Sequence, residues 1–254
     1  MRPAAVALLA AGLAGNFVLS WIGLAYEQKV FSDAQFQIFS WMIGACAIVV
    51  LINTVIVGNS HLLDPAHLAL MACTALALVA YWALVRYGVA PLPTNRRLLV
   101  LRVFSAEQCG EQLMEELEER WRHIGPLLLI GGTEVAMRTI DPAKAANFMR
   151  RRLHDICVPS RFALHKRIAA LDELPDPDGR YRINEFFCTN DLWQEAAAIL
   201  LAYGDAIVLD LSEFTADRAG TTRELGLLKA THSFARTVFI VSQRTDLVAV
   251  QAAL

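Results

Sequence analysis

The chain has 254 residues, of which 56% are hydrophobic and only 19% are charged, and its formal net charge at pH 7 is −2. The near-neutral charge gives no reason to expect a nucleic-acid partner, and the hydrophobic content excludes a disordered chain. The charged residues are unevenly distributed, because only six lie in residues 1–95 and the other 42 lie in residues 96–254. The six are Arg2, Glu27, Lys29, Asp33, Asp64 and Arg86. The sequence therefore divides into an apolar N-terminal part and a C-terminal part of ordinary composition.

Three uncharged runs cover most of the N-terminal part. They predict a membrane anchor at residues 1–90, made of three transmembrane helices at about 3–26, 37–58 and 66–87. About 20 helical residues cross a hydrocarbon core of roughly 30 Å, and aromatic residues cluster near the ends of the runs, as they do at membrane interfaces. Two alternatives stay open: the runs could be buried helices of a soluble bundle, and the first run could be a cleaved signal peptide.

The orientation of the predicted anchor follows from its flanking cations. Three spans place the two ends of the chain on opposite sides of the bilayer. The cations on the side of the C-terminal part would be Lys29, Arg86, Arg96, Arg97 and Arg102, whereas Arg2 alone flanks a span on the other side. The positive-inside rule then places the N-terminus outside and the C-terminal domain in the cytoplasm. Small residues within the runs predict close helix packing, within one chain or between copies in a homo-oligomer.

The C-terminal part alternates between apolar strands and helices after a linker at residues 91–97. The predicted strands cover residues 98–104, 126–130, 206–211 and 237–242, with a shorter one at 183–187. The predicted helices cover residues 106–122, 142–155, 161–171, 191–203 and 221–234. This alternation predicts a three-layer α/β domain at residues 98–254 with a mostly parallel sheet, whose central strands include 98–104 and 206–211 because these are the most continuously apolar.

Ligands of open parallel sheets bind beyond the carboxyl ends of the strands. This rule selects the segments 104–105, 131–134 and 210–214, and within them Ser105, Gly131, Gly132 and Asp210 as candidate ligand-binding residues. The sequence contains no Walker loop, no complete dinucleotide-binding glycine pattern, no nucleophile elbow and no histidine pair with zinc spacing. We therefore predict neither a cofactor nor a metal.

One segment carries a recognisable motif. The apolar strand at 206–211 leads through a loop with Asp217 into Gly220-Thr221-Thr222-Arg223-Glu224-Leu225-Gly226. This pattern resembles the superfamily of nucleoside 2-deoxyribosyltransferases and TIR-like N-glycosidases, over about residues 204–243. The resemblance implies a flavodoxin-like topology, a ligand-binding role for Asp217, Gly220 and Thr221, and a catalytic Glu224 that acts at the anomeric carbon of a nucleoside or NAD ribose. The whole arrangement resembles bacterial membrane proteins with a TIR-like cytoplasmic domain, which implies the inner membrane.

Two interpretations of Glu224 stay open. In the first turn of a helix, a carboxylate is favoured in its ionised form, which suits a nucleophile or a stabiliser of an oxocarbenium-like transition state. Alternatively, Thr221 and Glu224 form a Thr-x-x-Glu capping box, and Gly220 is a turn residue. The capping box alone explains both residues without any catalytic role.

Three functions are consistent with these observations. The first is a membrane-anchored TIR-like interaction or signalling module of unknown ligand. The second is a membrane-tethered N-glycosidase that acts on NAD or another nucleotide through Glu224. The third is a sensor that binds a nucleotide without cleaving it. The exposure of Glu224 discriminates between them, because a concave pocket near Ser105 and Asp210 favours the enzyme and a convex, solvated position favours the module.

Overall fold

A computed structural model describes residues 18–55, 65–88, 95–102, 107–132, 142–150, 152, 156–212 and 214–253. The chain forms two compact units. The first unit comprises residues 1–90, 141–151 and 176–178, and the second comprises residues 91–140, 152–175 and 179–254. Residues 141–151 and 176–178 therefore belong to the N-terminal unit, although the sequence analysis placed both segments in the α/β domain.

The described residues of the N-terminal unit form four helical segments. Residues 18–27 are the described part of α1, and α2 (Asp33–Val55), α3 (Pro65–Gly88) and α5 (Pro142–Met149) complete it. Helices α2 and α3 cover nearly the same residues as the second and third predicted spans. Most of the first predicted span lies outside the described residues. Within the part of the chain that the structure describes, no helix is both long enough and apolar enough to cross a membrane. The three-span anchor therefore remains a prediction.

Helix α5 packs into the N-terminal unit through a small apolar cluster. Ala146 of α5 is buried together with Ile22 and Tyr26 of α1 and Phe36 of α2. The Arg150 guanidinium, directly after α5, forms an ion pair with Glu27. The cluster and the ion pair explain why this helix belongs to the first unit rather than to the sheet that precedes it in the sequence.

The second unit is built on a parallel sheet, which has six strands in the described residues. The strands are β1 (Leu98–Arg102), β2 (Leu127–Gly132), β3 (Cys157–Val158), β4 (Ile183–Cys188), β5 (Ala206–Asp210) and β6 (Thr237–Ile240). The helices are α4 (Glu107–Trp121), α6 (Arg161–Ala169), α7 (Asn190–Tyr203), α8 (Ala219–Ala230) and α9 (Leu247–Ala253). The mostly parallel sheet is confirmed, and β1 and β5 are adjacent interior strands, as their continuous apolar sequences predict.

The strand order is β3-β4-β2-β1-β5-β6. Without the two-residue strand β3, the five longer strands have the order 3-2-1-4-5, which is the order of the Rossmann fold. The flavodoxin-like topology implied by the resemblance is therefore wrong. In a flavodoxin-like sheet the first strand lies between the second and the third, whereas here the third long strand, β4, pairs with the outer side of β2.

Alternate residues along the central strands form two cores, one on each face of the sheet. Leu99 and Leu101 belong to a large core with helices α6 to α9, whereas Leu98 and Val100 belong to a smaller core with Met114 of α4. Strands that are buried on both faces require continuous apolar sequences. The two cores establish the three layers of this unit.

Candidate functional site

The direction of the chain across the sheet reverses between β1 and β5. From β1 the chain proceeds to β2 and later to β4 on one side, and it then crosses to β5 on the other side of β1. Such a switch point leaves a crevice outside the carboxyl ends of the two strands. Asp210, the last residue of β5, lies at this position in register with Arg102 of β1 and is only 1% exposed.

The segments after β5 and β6 hold the backbone around Asp210 in place. The Ser212 amide donates to the Asp210 carboxylate at 2.9 Å, and the Leu211 amide donates to the Ile240 carbonyl at 2.8 Å. The Thr245 hydroxyl donates to the Leu211 carbonyl at 2.8 Å, and the Ser242 hydroxyl donates to the Ser212 carbonyl. These bonds fix a buried carboxyl group at the switch point of the sheet.

The structure brings part of the predicted site together. Gly131 and Gly132 end β2, beside Phe187 and Cys188 of β4, and in a parallel sheet they lie at the same edge as Asp210. Ser105 lies outside the described residues. The carboxyl edge therefore contains Gly131, Gly132 and Asp210, as the sequence analysis predicts.

Helix α8 begins earlier than the motif suggests. Its first residue is Ala219 and its N-cap is Arg218, which makes no side-chain capping hydrogen bond. Thr221 is therefore the third helical residue and Glu224 the sixth, so the predicted capping box is wrong. Gly220 lies inside the helix, and space for a Cβ atom is open there. The sequence did not reveal this start, because Ala219 and Gly220 lack the usual features of a helix N-terminus.

Asp217 lies in the turn before α8, and it is exposed, as is Gly220. A hydrogen bond from the Thr215 side chain is the main reason why the pKa of Asp217 lies below its usual value. Both residues are accessible to a ligand, but neither is buried against surrounding side chains. Thr221, in contrast, is only 5% exposed and points inward with Glu224.

Glu224 is a buried carboxyl group on the inward-facing side of α8. It is 3% exposed, and its Oε2 atom has no hydrogen-bond partner among the described residues. Burial raises the pKa of this carboxyl from 4.5 to about 8, because desolvation penalises the charged form. Burial therefore favours the protonated form of Glu224, and the expected position in the first helical turn is wrong, because Glu224 is the sixth residue of α8. Its position is also not the convex, solvated one that favours the interaction module.

Three residues that support the site were not among the predicted ligand-binding residues, although Ser212 lies in the predicted segment 210–214. Ser212, Ser242 and Thr245 connect the two segments beyond β5 and β6. The only sequence signal was their position, since polar residues that follow an apolar parallel strand lie at the carboxyl edge. In the described residues, no group of three or more His, Cys, Asp or Glu side chains is arranged to hold a metal ion.

Comparison of the chain with protein-family models, with curated proteins and with solved structures finds no match. The geometry of the site and the sequence motif are therefore the observations on which a function can be argued.

Proposed function

We propose that this protein is a membrane-associated signalling module whose α/β domain binds a nucleotide-class ligand at the carboxyl ends of β1 and β5. The observation that carries the proposal is the buried Asp210 carboxylate at the switch point of the sheet. The ligand class comes from analogy, because sheets with this strand order commonly bind nucleotides in that crevice.

Membrane association is supported by the composition of the N-terminal part. Residues 1–95 contain only six charged residues. In the described helices of this part, large apolar side chains are exposed, among them Trp41 at 79%, Leu84 at 73% and Tyr87 at 81%. Soluble monomers rarely expose apolar surface on this scale, and larger patches mark membrane or protein contacts. We keep the proposed orientation, with the α/β domain in the cytoplasm of a bacterial cell.

The TIR-like resemblance supports a signalling role, because the strand at Ala206–Asp210, the helix at Ala219–Ala230 and the strand at Thr237–Ile240 occur in the order that the motif requires. The strand order differs from the flavodoxin-like order expected for that superfamily, so the resemblance is restricted to this βαβ unit. Self-association, through the N-terminal part or the α/β domain, is part of the proposal for a signalling module.

A second candidate function is a membrane-tethered N-glycosidase that acts on NAD or another nucleotide. The specific observation in its favour is the buried Glu224 carboxyl with an unpartnered Oε2 atom. A neutral carboxylic acid suits the role of a general acid that protonates a departing base, rather than that of a nucleophile. On this hypothesis Glu224 donates a proton, and another group stabilises the developing positive charge.

The experiment uses the full chain in lipid nanodiscs and measures the binding of NAD, ADP-ribose and ATP by calorimetry. Asp210→Asn should weaken binding about tenfold or more, since a hydrogen bond to a charged group contributes about 1.5–3 kcal/mol. Glu116→Gln is the matched control, because this carboxylate lies exposed on α4. Unchanged affinity in Asp210→Asn, or no binding of any of the three nucleotides, overturns the assignment of the ligand site.

The same samples distinguish the sensor from the enzyme. Release of nicotinamide or adenine by the wild type, together with its loss in Glu224→Gln, establishes the N-glycosidase. Binding without base release establishes the sensor. Base release that persists in Glu224→Gln removes Glu224 from the catalytic role.

A further inference from the structure

The N-terminal unit contains a cavity that is separate from the proposed ligand site. Its volume is about 430 Å³, which lies within the range of roughly 300–1,000 Å³ typical of ligand pockets. It is formed by α1, α2, α3 and the turn between α1 and α2. The described residues that line it are all apolar or aromatic, and they include Val18, Trp21, Phe31, Phe39, Val79 and Trp82. We call this cavity the apolar groove.

The walls of the apolar groove are connected by specific contacts. The Trp82 indole of α3 donates a hydrogen bond to the Val30 carbonyl at 2.9 Å. The rings of Phe31 and Phe39 are in contact, with centroids 4.6 Å apart. The indole N–H of Trp82 is thus already hydrogen-bonded within the wall, and the surface that faces an occupant is apolar. Burial of a polar ligand group there would cost its hydrogen bonds to water without replacing them.

The opening of the apolar groove lies among exposed apolar side chains. Trp21 and Val79 both line the groove, and they are 57% and 62% exposed. The exposed surface continues along α3 through Leu76, which is 69% exposed. An occupant therefore enters from surroundings that are themselves apolar. Lys29, which immediately precedes the lining residue Val30, forms an ion pair with Asp176 at 3.5 Å, so its charge is neutralised within the N-terminal unit.

We propose that the apolar groove binds one acyl chain of a membrane phospholipid. The proposal rests on the membrane association argued above, which supplies the lipid phase at the opening. The apolar lining, which continues at its opening into the exposed side chains of Trp21 and Val79, matches the hydrocarbon chain of a phospholipid. The groove thus takes a lipid that is held individually, in addition to the lipids that surround the rest of the apolar surface.

The first test is native mass spectrometry of the full chain, purified in a mild detergent from phosphatidylglycerol-containing membranes. We expect one phospholipid to stay bound to the wild type. Ala75→Trp, which places an indole at the groove wall, should reduce the lipid-bound fraction at least about tenfold. Leu84→Trp is the matched control, because Leu84 is 73% exposed and does not line the groove. A lipid-free wild type, or a dimer whose mass contains no lipid, overturns the proposal.

The second test does not depend on how a variant folds. Phosphatidylglycerol with a diazirine at the end of one acyl chain is incorporated with the wild-type chain into vesicles and photolysed. We expect crosslinks, assigned to single residues by fragment-ion sequencing, to concentrate on Trp21, Phe39 and Val79. If Trp41 and Leu84, which do not line the groove, are labelled as strongly as Trp21, Phe39 and Val79, the proposed lipid site is overturned. If instead the chain does not float with the vesicles at all, membrane association itself fails, and the two failures are therefore distinct.

Discussion

Gly23 and Arg150 are packed so closely that no side chain fits between them. A Cβ atom on Gly23 would lie 2.7 Å from Cγ of Arg150 and 3.1 Å from the Ala146 carbonyl oxygen. Glycine at this position lets α1 approach α5, and the Arg150–Glu27 ion pair forms at the same contact. The relationship explains how a helix that follows β2 in the sequence becomes part of the N-terminal unit.

Gly23→Ala should therefore destabilise the N-terminal unit by about 1–3 kcal/mol, the usual cost of overpacking. Gly44→Ala is the matched control, because Gly44 is also helical and a Cβ atom there has nothing within 4 Å. The control should be stabilising by about 0.5–1 kcal/mol, since alanine is the better helix former. Urea unfolding of the full chain in detergent measures both. Equal effects of the two substitutions would contradict the close packing of α1 against α5.

Asp205 connects the starts of the two central strands. Partial burial opposes its ionisation, but hydrogen bonds from the Arg97 amide, at 2.9 Å, and from the Arg97 guanidinium outweigh this effect and lower the pKa of Asp205. A lowered pKa means that the stabilisation is complete above the unfolded-state value and is lost as the pH falls through the folded-state value. Asp205→Asn should reduce stability at pH 7 by up to about 1 kcal/mol, because the pair is partly exposed.

The difference between wild type and Asp205→Asn should shrink when the pH is lowered from 6 to 3. The measurement is the midpoint of urea unfolding at each pH, with Asp172→Asn as a second carboxylate variant for comparison. A difference that grows toward acidic pH would show that Asp205 does not act as an ionised partner of Arg97.

The sequence predicted the second unit better than the first. The strands β1 and β5 are continuously apolar, and a strand of that kind must be buried on both faces, so their interior position in the sheet followed directly. Helix α5 shows no comparable signal, because an apolar face on an eight-residue helix does not identify what it packs against. The partner of α5, which includes Ile22, is more than 100 residues away in the sequence.

The candidate site was predicted in part for a similar reason. The rule for parallel sheets placed Asp210 and Gly132 at one edge, which depends only on strand direction. The burial of Glu224 depends on where α8 begins and on which helical face is turned inward. Leu225 and Leu228 were the available signal, because Thr221, Glu224, Leu225 and Leu228 follow the 3–4 spacing of one helical face. A glutamate within such a face is expected to be buried, whereas the Gly-Thr-x-x-Glu motif favoured a position in the first helical turn.

Arg236 connects the end of α7 to the start of β6. Its guanidinium donates to the carbonyl oxygens of Gly204 and Leu201 at 2.6 and 2.7 Å, and to the Ser233 hydroxyl at 3.0 Å. A lysine has no planar fork to reproduce these bonds, so Arg236→Lys should destabilise the α/β domain by about 1–3 kcal/mol. Arg223→Lys on the exposed face of α8 is the matched control and should change stability by less than about 0.5 kcal/mol. Hydrogen exchange of the β6 amides measures both, and equal protection in the two variants would rule out this role of Arg236.

The buried Glu224 carboxyl should make the stability of the α/β domain fall as the pH rises from about 4.5 to about 8. Its pKa is raised from 4.5 to about 8 by burial. For a raised pKa, the folded state binds the proton more tightly than the unfolded state, so the stabilising contribution of this group is complete below pH 4.5 and is lost as the pH rises through about 8. The loss is on the order of 1.4 kcal/mol for each pKa unit of the shift. Glu224→Gln, which is neutral at every pH, should remove this dependence.

The measurement is hydrogen exchange of α8 and β5 amides in the full chain, with opening free energies compared at pH 6 and pH 9 after correction for the intrinsic exchange rates. We expect the wild type to lose stability between the two values and Glu224→Gln to lose much less. Glu116→Gln, on the exposed face of α4, should behave as the wild type does, because it removes a carboxyl that burial does not affect. If the wild type and Glu224→Gln have the same pH dependence, then Glu224 is ionised in the folded protein, and its proposed role as a proton donor in base release would have to be abandoned.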